Sequence, residues 1–315
     1  MLYDSCGRPA LNLRISLTQR CNLKCVYCHR EGQFPGSNLP EMTKDEVLRI
    51  ARTAVSLGMT RLKLTGGEPL LRADIVEIVH GLAEIPGLHD LAMTTNGTRL
   101  SVLSESLKEA GLKRVNINLP SLDPKTYSMV NGGSLNHALD GVAAAVKADL
   151  HPVKLNTLVL RGINVDDIPK MIEFARQNQV ILQLMELEPV NIKDDFYNEH
   201  FFSLESFEGE LKNQALEVQT RGNMQNRHVY KLSGVTVEVV HPIENTAFCA
   251  RCTRLRVTSD GKLKPCLMIN DNLVDILGPM RGGADDEELK QLFVTAVKRR
   301  EPYYKPRFQK SENPT

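Results

Sequence analysis

Tryptophan is absent from this chain of 315 residues, and aromatic residues make up only 5% of the sequence. The hydrophobic core is therefore expected to be aliphatic. No uncharged apolar run approaches the roughly 20 residues that a membrane-spanning helix needs. Arg8 and Arg14 interrupt the N-terminal stretch in which the apolar part of a signal peptide would lie. These absences predict a cytoplasmic protein that has no membrane partner.

An excess of charge of one sign is also missing, because 39 basic and 38 acidic residues leave a net charge of +1. A broad polybasic face is thereby excluded, and with it strong nonspecific binding of nucleic acid. Local clusters of arginine and lysine remain available for a phosphorylated small molecule. The length is sufficient for one large domain or two ordinary ones.

Six of the seven cysteines fall into two tight groups. The first group has C-x3-C-x2-C spacing and consists of Cys21, Cys25 and Cys28. The second group has C-x2-C-x13-C spacing and consists of Cys249, Cys252 and Cys266. In a reducing compartment such groups indicate metal ligands or nucleophiles before disulfides. Each group supplies three ligands where a closed site needs four, which predicts an open coordination position. Cys6 is left over and is treated as incidental.

Other metal sites fit parts of these patterns. Cys25 to His29 matches C-x-x-C-H, the attachment pattern of c-type haem, but that interpretation suits exported proteins and leaves Cys21 unexplained. A structural zinc at the first group would take His29 or a distant residue as its fourth ligand. A zinc at the second group would take His241. The spacing of the cysteines alone does not exclude zinc at either group.

Strand and helix patterns alternate six times in the first 190 residues, which implies a parallel sheet with right-handed crossovers. The unusual motifs follow strands: the first cysteine group, Gly66-Gly67-Glu68-Pro69, Thr94 to Gly97, and Glu186 to Glu188. This placement is typical of a barrel, whereas a Rossmann fold needs G-x-G-x-x-G after its first strand. Six units are fewer than the eight of a closed barrel, so we predict an α/β fold with an open, partial TIM-like (β/α)6 barrel.

The chain becomes polar and irregular after residue 190, which predicts two domains, 1–190 and 191–315. In the second domain, Ser259-Asp260-Gly261 predicts a hairpin that returns Cys266 toward Cys252. Arg254 and Arg256 alternate with Leu255, so both guanidinium groups should point to one side and form a clamp for phosphate. We predict strands at 228–231 and 235–240, a helix near 286–299, and a polar, loose tail from Pro306.

These motifs together resemble a known family. The first cysteine group, with Tyr27 before its last cysteine, is similar to the radical S-adenosylmethionine signature, and Gly66 to Pro69 is similar to that superfamily's methionine-binding segment. The second group, written C-x2-C-x-R-x-R with a later cysteine, narrows the resemblance. From about Asn12 to Lys298, the chain resembles the MoaA family, the GTP 3',8-cyclases of molybdenum cofactor biosynthesis.

The resemblance implies two 4Fe-4S clusters, the second of them in the C-terminal domain. It implies a lyase that cleaves S-adenosylmethionine to methionine and a 5'-deoxyadenosyl radical, which takes the 3' hydrogen of GTP. The sugar radical then attacks C8 of guanine and gives 3',8-cyclo-7,8-dihydro-GTP, while the second cluster holds the guanine. An electron donor and a downstream cyclic pyranopterin monophosphate synthase are implied partners, and a homodimer is compatible with the resemblance.

The resemblance also assigns binding residues. The implied contacts to S-adenosylmethionine are Tyr27, Gly67, Asn118 and Glu188. The implied contacts to GTP are Arg14, Lys63, Thr94, Lys154, Arg254, Leu255 and Arg256. Arg14, Lys63 and Lys154 lie on separate strands, which a barrel would bring together.

Several positions depart from the family pattern. The family more often has serine at Asn118 and methionine at Glu188, and Pro120 stands where its Ser-Leu-Asp segment ends. His29 and Arg30 replace the commoner Met-Pro. A Gly-Gly tail is also missing, because Gly282 and Gly283 are internal and the chain ends in Glu312-Asn313-Pro314-Thr315.

Two alternatives to the cyclase remain at the level of the sequence. One is a radical S-adenosylmethionine peptide maturase with an auxiliary cluster, which would need no clamp for a triphosphate. The other is a non-enzymatic protein that binds two zinc ions. Metal content separates them, because the cyclase should contain about eight irons after anaerobic purification, whereas the second alternative would be colourless and contain zinc.

Overall fold

Six parallel strands joined by helices form the first part of the fold. The computed structural model describes residues 1–33 and 41–305. The strands are β1 (Asn12–Ser16), β2 (Arg61–Thr65), β3 (Asp90–Thr95), β4 (Arg114–Asn118), β5 (Lys154–Leu158) and β6 (Ile181–Met185). Each strand pairs in parallel with the next, so the sheet order follows the chain order. The predicted six-fold alternation is confirmed.

The helices between these strands bury one apolar face each. They are α1 (Lys44–Ser56), α2 (Ile75–Ala83), α3 (Leu100–Glu109), α4 (Pro124–Asn131), α5 (Leu135–Lys147) and α6 (Ile168–Gln177). At the start of α1, Thr43 and Glu46 form the capping box that their spacing predicts. Aliphatic residues of helices and strands share one hydrophobic core, as the scarcity of aromatic residues predicts.

The segment after residue 190 extends the same sheet at both edges. Its elements are α7 (Asp194–His200), α8 (Glu205–Gln214), β7 (Glu217–Arg221), β8 (Arg227–Leu232), β9 (Val235–Val240), α9 (Thr246–Ala250), β10 (Arg254–Val257), β11 (Lys262–Lys264), β12 (Val274–Asp275), α10 (Leu277–Arg281) and α11 (Asp286–Lys298). Strand β10 pairs in parallel with β1, and β9 pairs in parallel with β6. The described strands form one open sheet of 12, in the order β12-β11-β10-β1-β2-β3-β4-β5-β6-β9-β8-β7. The predicted open barrel is confirmed.

Both predicted hairpins are confirmed. Strands β8 and β9 pair antiparallel, and β10 pairs antiparallel with β11 so that Arg256 lies opposite Lys264. The predicted helix near 286–299 is α11. The predicted polar tail from Pro306 lies outside the described residues.

The two faces of the sheet differ in polarity because side chains alternate along each strand. In β1, Leu13 and Ile15 are buried in the hydrophobic core. Arg14 lies between them and pairs in register with Arg256 on one side and Lys63 on the other. The inner face of the barrel therefore carries a row of cations, while the outer face packs against helices.

Candidate active site

A cavity of about 290 Å³ lies on the inner face of the sheet, and a smaller pocket of about 70 Å³ adjoins it. The first cysteine group lines the larger cavity, and the second group lines the smaller pocket. Arg254 and Arg256 line both. The fold thus places the two cysteine groups in neighbouring compartments that share two arginines.

The loop of the first cysteine group is held by backbone contacts rather than by its thiols. The amides of Lys24 and Val26 donate to the carbonyls of Asn131 and Val130, at 3.0 and 2.9 Å, which ties the loop to the end of α4. The Tyr27 hydroxyl donates to Oδ1 of Asn118 at 2.9 Å. None of the seven cysteines, all of which are described, forms a disulfide. The three thiols remain available on the cavity wall.

The segment Gly66 to Pro69 lies against this loop. The Gly67 amide donates to the Thr18 carbonyl and the Glu68 amide donates to the Arg20 carbonyl, both at 2.7 Å. A Cβ atom at Gly67 would lie 2.2 Å from the Arg20 carbonyl oxygen. Only glycine permits so close an approach of the two backbones. The predicted proximity of the two motifs is therefore confirmed.

Glu68 joins the segment to the end of β3. Its carboxylate accepts hydrogen bonds from Oγ1 of Thr95 and the amide of Asn96, both at 2.7 Å, and from the amide of Leu70 at 3.0 Å. Burial raises the pKa of Glu68 to about 7, although these hydrogen bonds oppose the shift. The carboxylate thus fixes the wall of the cavity beside the first cysteine group.

A buried carboxylate lies beneath two of the cavity arginines. Glu31 accepts from Arg14 at 3.2 Å, from Arg256 at 2.6 Å and from Oγ1 of Thr65 at 2.9 Å. Burial favours a raised pKa for Glu31, but the charges of Arg14 and Arg256 outweigh it and hold the pKa well below its usual range. Glu31 is the residue that fixes the two guanidinium groups against the sheet.

Other cavity cations have no carboxylate partner. The Lys63 ammonium donates to Oδ1 of Asn116 at 3.1 Å, and neither Lys63 nor Arg254 forms an ion pair within the described residues. Burial lowers the pKa of Lys63 well below its usual range, and the charges of Arg114 and Arg14 add to the shift. Burial does the same to the pKa of Arg254, with further lowering from nearby arginines. Burial and mutual repulsion thus disfavour the charged forms of these side chains, and a polyanion in the cavity would stabilise them.

Most of the predicted site residues meet in this cavity. Those that line it are Arg14, Cys21, Cys25, Tyr27, Cys28, Lys63, Gly67, Thr94, Asn118, Glu188, Arg254 and Arg256.

Two residues assigned to GTP do not line the cavity. The Leu255 side chain is fully buried in the hydrophobic core, because it alternates with the two arginines and faces the helices. The Lys154 ammonium pairs with Glu238 of β9, which also accepts from Arg221 at 2.9 Å. Neither side chain lies where the resemblance leads one to expect a nucleotide contact, and the assignment of both to GTP stays a prediction. The structure adds Glu31, Glu68 and Arg227 to the cavity wall.

The second cysteine group is held by two buried arginines. Arg8 donates to the Cys249 carbonyl at 2.8 Å, and Arg300 donates to the Cys252 carbonyl at 2.5 Å. The Asp4 carboxylate lies 2.8 Å from Arg8 and 3.6 Å from Arg300. The N-terminal segment and Arg300, two residues beyond α11, thus fix the backbone of this group and leave its thiols on the pocket wall.

His241, the fourth ligand in the zinc hypothesis, has other partners. Its Nδ1 lies 2.7 Å from Glu186 and its Nε2 lies 2.7 Å from Glu208. Burial favours a lowered pKa, but these two carboxylates raise the pKa of His241 to about 9. Because both ring nitrogens are engaged, His241 is not free to bind a metal. It instead links the end of β6 to α8.

We expect replacement of His241 by glutamine to lower the free energy of unfolding by about 2 kcal/mol, because hydrogen bonds to charged groups are lost. Since the folded-state pKa is raised from about 6.5, the charge-dependent part of this contribution is complete below that pH. It should fall as the pH rises and be lost above about 9. Urea titrations of both proteins from pH 6 to 10 should show their stabilities converging, and a constant difference would contradict this. The control variants are His228→Gln and Tyr230→Phe, which remove two other contacts to Glu208.

Comparison with known proteins places this site in a family. Residues 15–175 match the Radical SAM superfamily, and residues 180–306 match Molybdenum Cofactor Synthesis C. The chain is 49% identical to the Probable GTP 3',8-cyclase of Pyrococcus abyssi over 311 residues, which cover 96% of this chain and all of that relative. The chain belongs to the MoaA family of GTP 3',8-cyclases. As a radical S-adenosylmethionine enzyme of this family, it uses S-adenosylmethionine and an iron–sulfur cluster.

A second relative agrees with the family assignment, and a solved structure shares the fold. The Probable GTP 3',8-cyclase of Thermococcus kodakarensis is 49% identical over 313 residues, covering 97% of this chain and all of the relative. The crystal structure of Streptococcus suis SuiB bound to S-adenosylmethionine has a TM-score of 0.63 and 17% identity, covering 85% of this chain and 63% of SuiB. The chain thus spans less than two thirds of SuiB, and the likeness shows a shared fold alone. No helix in the described ranges is long and apolar enough to cross a membrane.

Proposed function

We propose that this protein is a GTP 3',8-cyclase that converts GTP to 3',8-cyclo-7,8-dihydro-GTP in the first step of molybdenum cofactor biosynthesis. The observation that carries the proposal is the cavity itself. The first cysteine group and at least two buried cations without carboxylate partners, Lys63 and Arg254, line the same space. A triphosphate supplies the negative charge that these cations lack.

The cysteine groups suit clusters of several irons. Within the described residues, no three histidine, cysteine, aspartate or glutamate side chains converge closely enough to hold a single metal ion. The three cysteines of each group line one pocket, and a 4Fe-4S cluster binds each thiolate through a different iron. We therefore assign Cys21, Cys25 and Cys28 to one cluster and Cys249, Cys252 and Cys266 to a second.

The first cluster, when bound, supplies the electron that cleaves S-adenosylmethionine. The chain binds and orients the reactants around it. Tyr27, Gly67, Asn118 and Glu188 line the part of the cavity assigned to S-adenosylmethionine.

The cavity cations bind the triphosphate of GTP, and Glu31 holds Arg14 and Arg256 in place for it. The second cysteine group lines the adjoining pocket with Arg254 and Arg256; it would hold a second cluster, which would supply an open iron for the guanine.

The proposal extends to the surroundings of the enzyme. We assign it to the cytoplasm, with an electron donor and a downstream cyclic pyranopterin monophosphate synthase as partners. We also retain a division near residue 190: the barrel strands precede it, and the strands that extend both sheet edges follow it. A peptide maturase would not need the unpaired cavity cations.

The test is an anaerobic reaction of the iron-loaded protein with GTP, S-adenosylmethionine and a chemical reductant, followed by mass analysis of the nucleotide. We expect 5'-deoxyadenosine and the cyclised nucleotide in equal amounts, and neither product without reductant. Formation of 5'-deoxyadenosine without a nucleotide product would contradict the cyclase. A colourless protein that contains two zinc ions would contradict any radical enzyme.

A further inference from the structure

Arg227 is a cavity cation that the sequence patterns did not single out. It is the first residue of β8 and lies two positions before Val229. Val229 pairs in register with Glu238 of β9, and Glu238 pairs in register with Gln183 of β6. Because alternate residues share a face, Arg227 points to the inner face of the sheet. It lines the same cavity as Lys63 and Arg254 and is only 9% exposed.

The contacts of Arg227 leave its charge unneutralised. Its Nη1 donates to Oε1 of Gln183 at 2.9 Å, and its Nη2 donates to Oε1 of Gln225 at 3.3 Å. Both acceptors are neutral amides. Its Nε is buried and has no hydrogen-bond acceptor among the described residues. A buried donor without an acceptor is rare in native proteins and points to a ligand.

Lys154, on the neighbouring part of the inner face, differs in this respect. Its ammonium pairs with Glu238, which also binds Arg221, so the charge of Lys154 is met within the protein. Burial lowers the pKa of Arg227 to about 10, with further lowering from Arg14 and Arg221 and an opposing effect of Glu238. Glu188 also opposes the lowering.

Arg227 and Arg254 face the same space from different parts of the sheet. Of the charged neighbours of Arg254, Arg227 is the one that lowers the pKa of Arg254 most, after burial itself. An anion between them would neutralise both guanidinium groups and accept from the free Nε. Gln183 and Gln225 hold the guanidinium plane without using its charge, which is how a phosphate-binding arginine is positioned.

We propose that Arg227 is a GTP-binding residue that contacts the triphosphate together with Arg254. The proposal rests on the proposed function, since it identifies the cation that completes the triphosphate site. It also gives the C-terminal segment a second contribution to this site, through β8 in addition to β10. Gln183 is a positioning residue that acts through Arg227.

The test compares Arg227→Gln with Arg176→Gln, the same substitution at an arginine that pairs with Glu173 and does not line the cavity. Equilibrium dialysis of the iron-loaded protein should show about a 10- to 100-fold weaker affinity for GTP in Arg227→Gln, since hydrogen bonds to a charged group are lost. Arg176→Gln should bind GTP with the affinity of the unaltered protein and should still cleave S-adenosylmethionine at its rate.

Comparing nucleotides with different numbers of phosphates distinguishes a phosphate contact from a general effect on folding. The preference for GTP over GMP should shrink in Arg227→Gln, because GMP lacks two of the phosphates. Arg227→Lys keeps the charge but not the planar fork, so it should have intermediate affinity. If Arg227→Gln does not fold, Arg227→Lys decides: an unchanged affinity for GTP would overturn the proposal. An equal loss of affinity in Arg176→Gln and Arg227→Gln would also overturn it.

Inorganic tripolyphosphate serves as a probe that does not depend on the cyclase reaction. If the unaltered protein binds tripolyphosphate and Arg227→Gln does not, Arg227 is a phosphate-binding residue even if no cyclised nucleotide forms. If the unaltered protein makes the cyclised nucleotide and Arg227→Gln binds GTP and tripolyphosphate equally well, the proposal for Arg227 fails alone. The two failures are therefore distinguishable.

Discussion

Replacing Cys25 by alanine should abolish the formation of 5'-deoxyadenosine, whereas replacing Cys252 by alanine should preserve it and abolish the cyclised nucleotide. Each variant should contain about four irons instead of about eight, because it retains one complete cysteine group. The two variants thus divide the reaction into radical generation and substrate positioning. Iron analysis, optical spectra and product analysis by mass spectrometry measure these outcomes.

Both variants should fold, since backbone contacts hold the two cysteine loops. The Cys25 loop is fixed by the hydrogen bonds of Lys24 and Val26 to the end of α4, and the Cys252 carbonyl is fixed by Arg300. Cys6→Ala is the matched control, because Cys6 is exposed and lines neither pocket. It should keep both the iron and the product. Retention of about eight irons in Cys252→Ala would refute a second cluster at this site.

The barrel was predictable because its signals are local. Each strand of the first 190 residues is a short apolar run, and each helix has apolar residues at helical spacing, so alternation alone implies parallel pairing. The extension of both sheet edges was not predictable. The pairing of β10 with β1 joins Leu255 to Leu13 across more than 200 residues of sequence, and no local pattern encodes it. The hairpin at Asp260-Gly261 was predictable because its turn residues are adjacent.

The site was predictable where motif spacing determines it and not where distant strands meet. The cysteine groups and Gly67 lie where their motifs place them, and the alternation around Leu255 was visible in the sequence. The ion pair of Lys154 with Glu238 arises because β9 joins the sheet beside the barrel, two positions from β5. Arg227 was missed for the same reason. Arg227 reaches the cavity because β8 pairs with β9 and β9 pairs with β6.

Glu31 was missed because its setting is irregular. It lies in a short 3-10 turn directly after the first cysteine group, where Arg30 and Glu31 have φ angles of 50° and 52°. Residues other than glycine rarely adopt this left-handed conformation, and such positions concentrate at functional sites. The turn carries the Glu31 carboxylate from the first cysteine loop to Arg14 of β1 and Arg256 of β10. One side chain thus links the first cysteine loop to two of the arginines that we propose bind the triphosphate.

Replacing Glu31 by glutamine should lower the free energy of unfolding by about 3–5 kcal/mol at pH 7, because two buried guanidinium groups lose their counter-charge. The folded-state pKa of Glu31 is depressed. Its contribution is therefore complete above about pH 4.3, the ordinary value for glutamate, and is lost as the pH falls further. Glu173→Gln, which removes an exposed partner of Arg176, is the control and should change stability by at most about 1 kcal/mol.

A polyanion should rescue Glu31→Gln more than it stabilises the unaltered protein. Tripolyphosphate supplies the negative charge that the glutamine lacks, and a ligand that binds only the folded state raises stability in proportion to the logarithm of its concentration. Urea titrations with and without tripolyphosphate should therefore show a larger gain in the variant. An equal gain in both proteins would mean that the Glu31 carboxylate does not share its arginines with the triphosphate. The affinity of Glu31→Gln for GTP then separates two roles: tighter binding indicates competition for Arg14 and Arg256, and weaker binding indicates that Glu31 orients them.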